Sequence, residues 1–168
     1  MPGEYRHSVD AGLGGISSVV ATLPAGYTLG EARYEGNIKY RLFFNSGGEQ
    51  IGPGFCFTPV ITTGPYSVTI TTTSKTFDHI GAGFIQHATS TTATFFWGAV
   101  RGRIAGAVGD ASSTPTGSVF YIGSDGKVEL HTQSVITGSK AIGVNLGGSA
   151  SKTITTGAKS GDPYVNLE

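Results

Sequence analysis

The 168-residue chain sets eleven Lys and Arg against eleven Asp and Glu, so its formal charge is zero, and only 13% of its residues are charged, about half the ~25% of ordinary globular chains. This balance excludes recruitment to nucleic acid or an anionic membrane by net field. A lone cysteine, Cys56, excludes an internal disulfide framework. No apolar stretch approaches the ~20 residues of a membrane helix.

What replaces the missing charge is glycine, with 27 residues, together with abundant Ser and Thr. Thr favours strands because its branched Cβ packs well on a pleated surface, and glycine in such numbers marks many tight turns. Met1 to Asp10 contains no apolar run of the secretory kind, which leads to an expectation of synthesis in a cytoplasm.

Residues 1–30 differ from the rest. Pro2, Gly3, Gly12, Gly14, Gly15, Pro24, Gly26 and Gly30 surround one apolar patch of Ile16, Val19, Val20 and Leu23. Glycine raises the entropy cost of ordering such a segment, and the patch is too small to support a core alone. The expectation is an extended Gly-rich arm over 1–30 whose patch is covered by a neighbouring subunit or another protein. Tyr5, Arg6, Ile16, Val19, Val20 and Leu23 are its candidate intersubunit contacts.

From Asn37 onward the apolar period becomes two. Ile38, Tyr40, Leu42 and Phe44 alternate with Lys39, Arg41 and Phe43, the pattern of a half-buried strand, which ends at Asn45-Ser46-Gly47-Gly48. Further strands are expected at 55–57, around Val68 and Ile70, at 83–86 and at 94–101. Val119 to Ile122 and Lys127 to Leu130 flank Gly123-Ser124-Asp125-Gly126, a hairpin with a left-handed residue at Gly126. Ala141 to Leu146 closes the series. Seven or more short strands and no sustained helical period define an all-β fold, a small β-barrel or β-sandwich over 31–168 carrying the N-terminal arm. Ile38, Tyr40, Leu42, Val68, Ile70, Trp97, Val119, Ile142 and Val144 are expected in one core.

The chain offers little for chemistry. Thr137-Gly138-Ser139-Lys140 has its glycine and lysine in the wrong order for a phosphate loop, and Gly12-Leu13-Gly14 and Gly81-Ala82-Gly83 lack the third glycine of a dinucleotide fingerprint. His7, His79, His87 and His131 are scattered, so no metal site is expected. Asp78 and His79 are adjacent, and neighbours on a strand point to opposite faces. No Gly-x-Ser-x-Gly elbow occurs. Trp97 beside Phe95 and Phe96, and Cys56 between two phenylalanines, read as core. The expectation is no catalytic residue, no cofactor and no enzymatic activity.

One ordered set of short motifs resembles tailed-bacteriophage capsid decoration (cement) proteins. It runs Phe95-Phe96-Trp97-Gly98-Ala99-Val100-Arg101-Gly102, then Gly117-Ser118-Val119, Ser124-Asp125-Gly126-Lys127 and Ala141-Ile142-Gly143-Val144, with Tyr40-Arg41 and Pro53-Gly54 upstream. The likeness covers about residues 37–148; it departs at Gly98-Ala99-Val100, where a longer polar strand is common, and in the Gly-rich arm. It implies a non-enzymatic virion protein on the capsid surface. Such a protein would bind the major capsid protein at intersubunit junctions as a homotrimer, without nucleic acid or membrane as partner. The alternative is a β-rich adhesin or carbohydrate-binding module of a phage tail, which requires exposed aromatics around a shallow pocket.

Overall fold

The computed structural model describes residues 13–60, 62–70, 83–103, 107–108, 119–122, 126–131, 143–145, 159–161 and 163–166, with side chains described for 13–60, 62–70, 83–103, 126 and 127. The elements are all strands: β1 (Val19–Val20), β2 (Ala32–Glu35), β3 (Ile38–Asn45), β4 (Cys56–Val60), β5 (Gly64–Thr69), β6 (Gly83–Phe84), β7 (Thr94–Arg103), β8 (Ala107–Val108), β9 (Val119–Ile122), β10 (Val128–His131), β11 (Gly143–Asn145), β12 (Lys159–Gly161) and β13 (Pro163–Asn166). The fold is all-β, as the period of two implies.

Strands β3, β5, β4, β6 and β7 are hydrogen-bonded in that cyclic order, because β7 returns to pair with β3, and they close a five-stranded barrel. The longest seam runs antiparallel from Lys39–Arg101 to Asn45–Thr94. The other edge of β7 is shared along its length by β1 at Phe95 and Phe96, by β6 at Ala99 and by β13 at Arg101 to Arg103. Through β13 the sheet continues outward to β11, β9 and β10. The β9–β10 hairpin has the expected form, Ile122 pairing with Val128 and Gly126 at φ +72°.

Alternation along β3 and β7 sends two apolar rows to opposite faces, so the expected single core is two. Inside the barrel lie Phe43, Phe57, Val68, Phe96 and Val100, with Ile51, Ile70, Ile85 and Ala88 closing around them. Phe57 meets Phe43 and Phe96 edge-on, with ring centroids 4.9 and 5.2 Å apart, the arrangement aromatic quadrupoles favour. On the outer face lie Tyr40, Leu42, Trp97, Ala99, Cys56 and Phe84, and residues from Leu13 to Leu29 cover them. Of the expected core, Tyr40, Leu42, Val68, Ile70 and Trp97 are buried, and Ile38 packs partly buried on the outer cluster. Val119 and Val144 pair with each other across β9 and β11, and Ile142 is outside the described residues.

A barrel of five strands is narrow, and glycine makes the room. Gly83 sits directly opposite Phe57 across β4–β6, and Gly98 lies on the same inner face of β7. A Cβ on Gly98 would stand 2.4 Å from Phe57 Cζ and 2.9 Å from Phe43 Cδ2. Polar closure comes from the fully buried Asn45. Its Nδ2 donates to the Glu49 carbonyl at 3.0 Å and the Ser90 carbonyl at 3.4 Å, while Gly47 N–H donates to Asn45 Oδ1 at 3.1 Å. This ties two loops to the barrel through groups that burial would otherwise leave unpaired.

Candidate interaction surface

The segment expected to be an arm seeking a neighbour is, over residues 13–30, a strap on its own barrel. Leu13 is fully buried, and its carbonyl accepts a 3.0 Å hydrogen bond from Trp97 Nε1. Ile16, Val20 and Leu23 pack on the outer cluster, and Val19, paired with Phe96, packs on the inner one. This corrects the premise that the patch lacks cover within its own subunit. Both faces of β3–β7 are apolar, so the barrel has an outer face that itself needs covering, and four half-buried residues complete a core they could not form alone. Tyr5 and Arg6 lie outside the described residues.

Trp97 is occupied in the same way. It is 1% exposed, Tyr27 meets it edge-on at 6.3 Å, and the Arg33 guanidinium stands 5.9 Å from its ring centroid. Arg33 Nη1 also donates to the Gly14 carbonyl, tying the strap to β2. The indole is therefore core and not a platform for a ligand.

What lies at the edge of the described sheet is β2, which pairs with β3 as a ribbon. Gly30 N–H donates to the Leu42 carbonyl at 2.8 Å, and Leu42 N–H donates to the Glu31 carbonyl at 3.0 Å, so two residues oppose one. Gly30 holds φ +81°, and its bare Cα faces the Tyr66 ring, which a Cβ would strike at 2.2 Å. This is a β-bulge of the kind that requires glycine in the left-handed region. Arg41 braces it, donating from Nη1 to the Gly30 carbonyl at 2.7 Å with its guanidinium 6.0 Å from the Tyr66 ring. From the bulge the register runs Ala32–Arg41, Arg33–Tyr40, Tyr34–Lys39 and Glu35–Ile38, closed by the two-residue turn Gly36-Asn37.

Because Glu31 bonds Leu42, the next hydrogen-bonding pairs are Arg33–Tyr40 and Glu35–Ile38. The backbone groups of Ala32 and Tyr34 therefore point away from β3, toward a side on which no described strand pairs with β2. Tyr34 is 67% exposed, the one large apolar side chain so exposed among the residues whose side chains are described, and Lys39 Nζ lies 5.8 Å from its ring. Sequence reasoning missed this ribbon. The signal was Gly36-Asn37 before the alternating run at Ile38, a dipeptide typical of two-residue hairpins.

Among the described residues no reactive constellation accompanies it. Among the described residues no three His, Cys, Asp or Glu side chains gather as a metal site would require. His87 is exposed, while His7, Asp78, His79 and Thr137 to Lys140 lie outside the described residues. Burial pushes the Cys56 thiol well above its ordinary range, which leaves it protonated and unreactive. Tyr40 is buried, and its hydroxyl donates to Gln86 Oε1. Burial, with Glu35 adding to it, pushes that phenol up to about 12.

A phenol raised above its unfolded value near 10 keeps its proton where the unfolded chain has lost it. Stability is therefore expected to be intact below pH 10 and to fall as pH rises from 10 toward 12. Tyr40→Phe should flatten this alkaline limb, at a neutral-pH cost of about 1–2 kcal/mol for leaving Gln86 unpaired. Urea midpoints at pH 7, 9 and 10.5 for both proteins check it; parallel profiles would remove Tyr40 as the cause.

Comparison of the chain with family models, curated proteins and solved structures finds no match. No helix among the described residues is long and apolar enough to cross a membrane.

Proposed function

We propose that this chain is a structural virion protein of the capsid-decoration class, binding the outer surface of a tailed-phage shell at junctions between major capsid protein subunits. The observation that carries the reading is the ordered set of motifs, whose described parts fall on one continuous sheet. Phe95 to Gly102 lies within β7, the strand shared by barrel and extension, Gly126 is in the β9–β10 turn, and Gly143-Val144 is in β11. The charge-poor composition supports it, since adhesion would rest on shape and backbone pairing. The arrangement on the shell would be a homotrimer at three-fold junctions.

Many copies bound to an assembled lattice stabilise it over free subunits by mass action, because each added contact exists only in the assembled state. The β-rich adhesin reading gains no observation of its own: among the residues whose side chains are described, Tyr34 stands alone as an exposed large aromatic, with Trp97 buried.

The test is reconstitution. The reading implies a major capsid gene beside this one; its product is expressed to give empty shells, which are mixed with the purified chain and sedimented. The expected result is saturable co-sedimentation at a fixed number of copies per junction and a higher melting temperature for the shell. Absence of co-sedimentation, with binding instead to host-surface glycans, would replace this reading with the adhesin one.

A further inference from the structure

We infer that two copies of this chain associate through β2, edge to edge and antiparallel about a two-fold axis, with Tyr34 opposite Tyr34 of the second copy. The inference does not depend on the shell-binding reading. It starts from the backbone: β2 ends the described sheet, and the amide groups of Ala32 and Tyr34 face outward from it. An unpaired strand edge is a template for another strand unless charge, proline or a cover protects it. No proline lies in β2, and its charges are of both signs, Arg33 and Glu35 on one side of the strand with exposed Tyr34 between them.

Only certain registers let outward-facing amides meet. Pairing Ala32 with Tyr34 of the second copy would put Arg33 against Arg33 and Glu31 against Glu35, each a like-charge pair. Pairing Tyr34 with Tyr34 makes each Arg33 face Glu35 of the other copy, twice by symmetry, and brings the two exposed rings alongside one another. Directly opposite charges stabilise a strand pair and like charges oppose it. Pairing Ala32 with Ala32 would also set Arg33 against Glu31, but it would put Tyr34 opposite Gly30, whose N–H and C=O are already bonded to Leu42 and Arg41. Tyr34 with Tyr34 is therefore the complementary register that the outward amides allow. The contact is isologous and closes after two copies. It would double the mass of whatever species presents it, a monomer or a trimer.

Tyr34→Cys supplies the direct test, made on the full-length chain. Residues facing one another in a hydrogen-bonding pair have Cα atoms about 5.5 Å apart, within disulfide reach, and the native Cys56 is buried. Mild oxidation is expected to give a covalent dimer from Tyr34→Cys and none from the parent chain. In sedimentation equilibrium, Glu35→Arg should weaken the doubling step about tenfold. Tyr34→Pro removes an amide that points away from β3, so it should abolish doubling with the melting temperature nearly unchanged. Doubling that persists in both Glu35→Arg and Tyr34→Pro, or failure of oxidised Tyr34→Cys to dimerise at concentrations where folding is verified by circular dichroism, overturns the proposal.

Discussion

A chain truncated to begin at Glu31 is expected not to fold cooperatively. The truncation uncovers Tyr40, Leu42, Phe84 and Trp97, all at most 2% exposed in the intact protein, and deletes Leu13, which is fully buried. Each such side chain is worth about 1.5–3 kcal/mol when buried, and the whole domain is worth about 5–15 kcal/mol. Losing cover over four of them at once therefore approaches the entire stability. The indole N–H of Trp97 also loses the Leu13 carbonyl.

The chain contains one tryptophan, so its fluorescence reports this site alone. Truncation should shift the emission toward that of the urea-unfolded chain and remove the cooperative melt. Leu13→Ala, which opens a cavity without removing the strap, should cost about 2–4 kcal/mol and keep the native emission. A truncated protein that melts cooperatively, with emission unshifted, would show that the strap is dispensable.

Gly98→Val is expected to be the most damaging single substitution in the barrel. The added Cβ alone would stand 2.4 Å from Phe57 and 2.9 Å from Phe43, and both rings are at most 2% exposed. Overpacking of a tight core costs about 1–3 kcal/mol for small insertions and more when the neighbours cannot move. Gly98→Ala should fall near the top of that range, and Gly98→Val beyond it, with loss of soluble folded protein as the readout. Gly48→Ala is the control, since nothing lies within 4 Å of its added methyl; it should change stability by less than about 0.5 kcal/mol. Combining Gly98→Ala with Phe57→Leu should recover part of the loss, because the two act on the same volume. Equal effects of Gly98→Ala and Gly48→Ala would mean the lumen has slack.

Much of this architecture was written locally. The period of two from Ile38 to Phe44 and the aromatic-rich run from Thr94 to Arg101 placed β3 and β7 within about two residues, because alternating and aromatic runs both suit a pleated strand. Asp125-Gly126 marked the β9–β10 hairpin for the same kind of reason: the conformation it needs is a property of that residue. The burial of Cys56 and Trp97 followed from their apolar neighbours. For β2 the local signal is Gly36-Asn37 alone, because Ala32 to Glu35 carries no apolar alternation of its own.

Composition and periodicity by themselves therefore determined that this protein is all-β, which runs form its central strands, and that its charges balance to zero. Tertiary structure alone decided the rest. Whether β3 and β7 bury one face or two depends on what covers the second face, and that cover, Leu13 to Leu29, is distant in sequence and glycine-rich. Closure of the barrel hangs on the return of β7 to β3, a pairing across roughly fifty residues of chain that no local pattern encodes. The strap became part of the core because burial is a property of both surfaces that meet: a patch too small to fold by itself is large enough to finish a face that already exists.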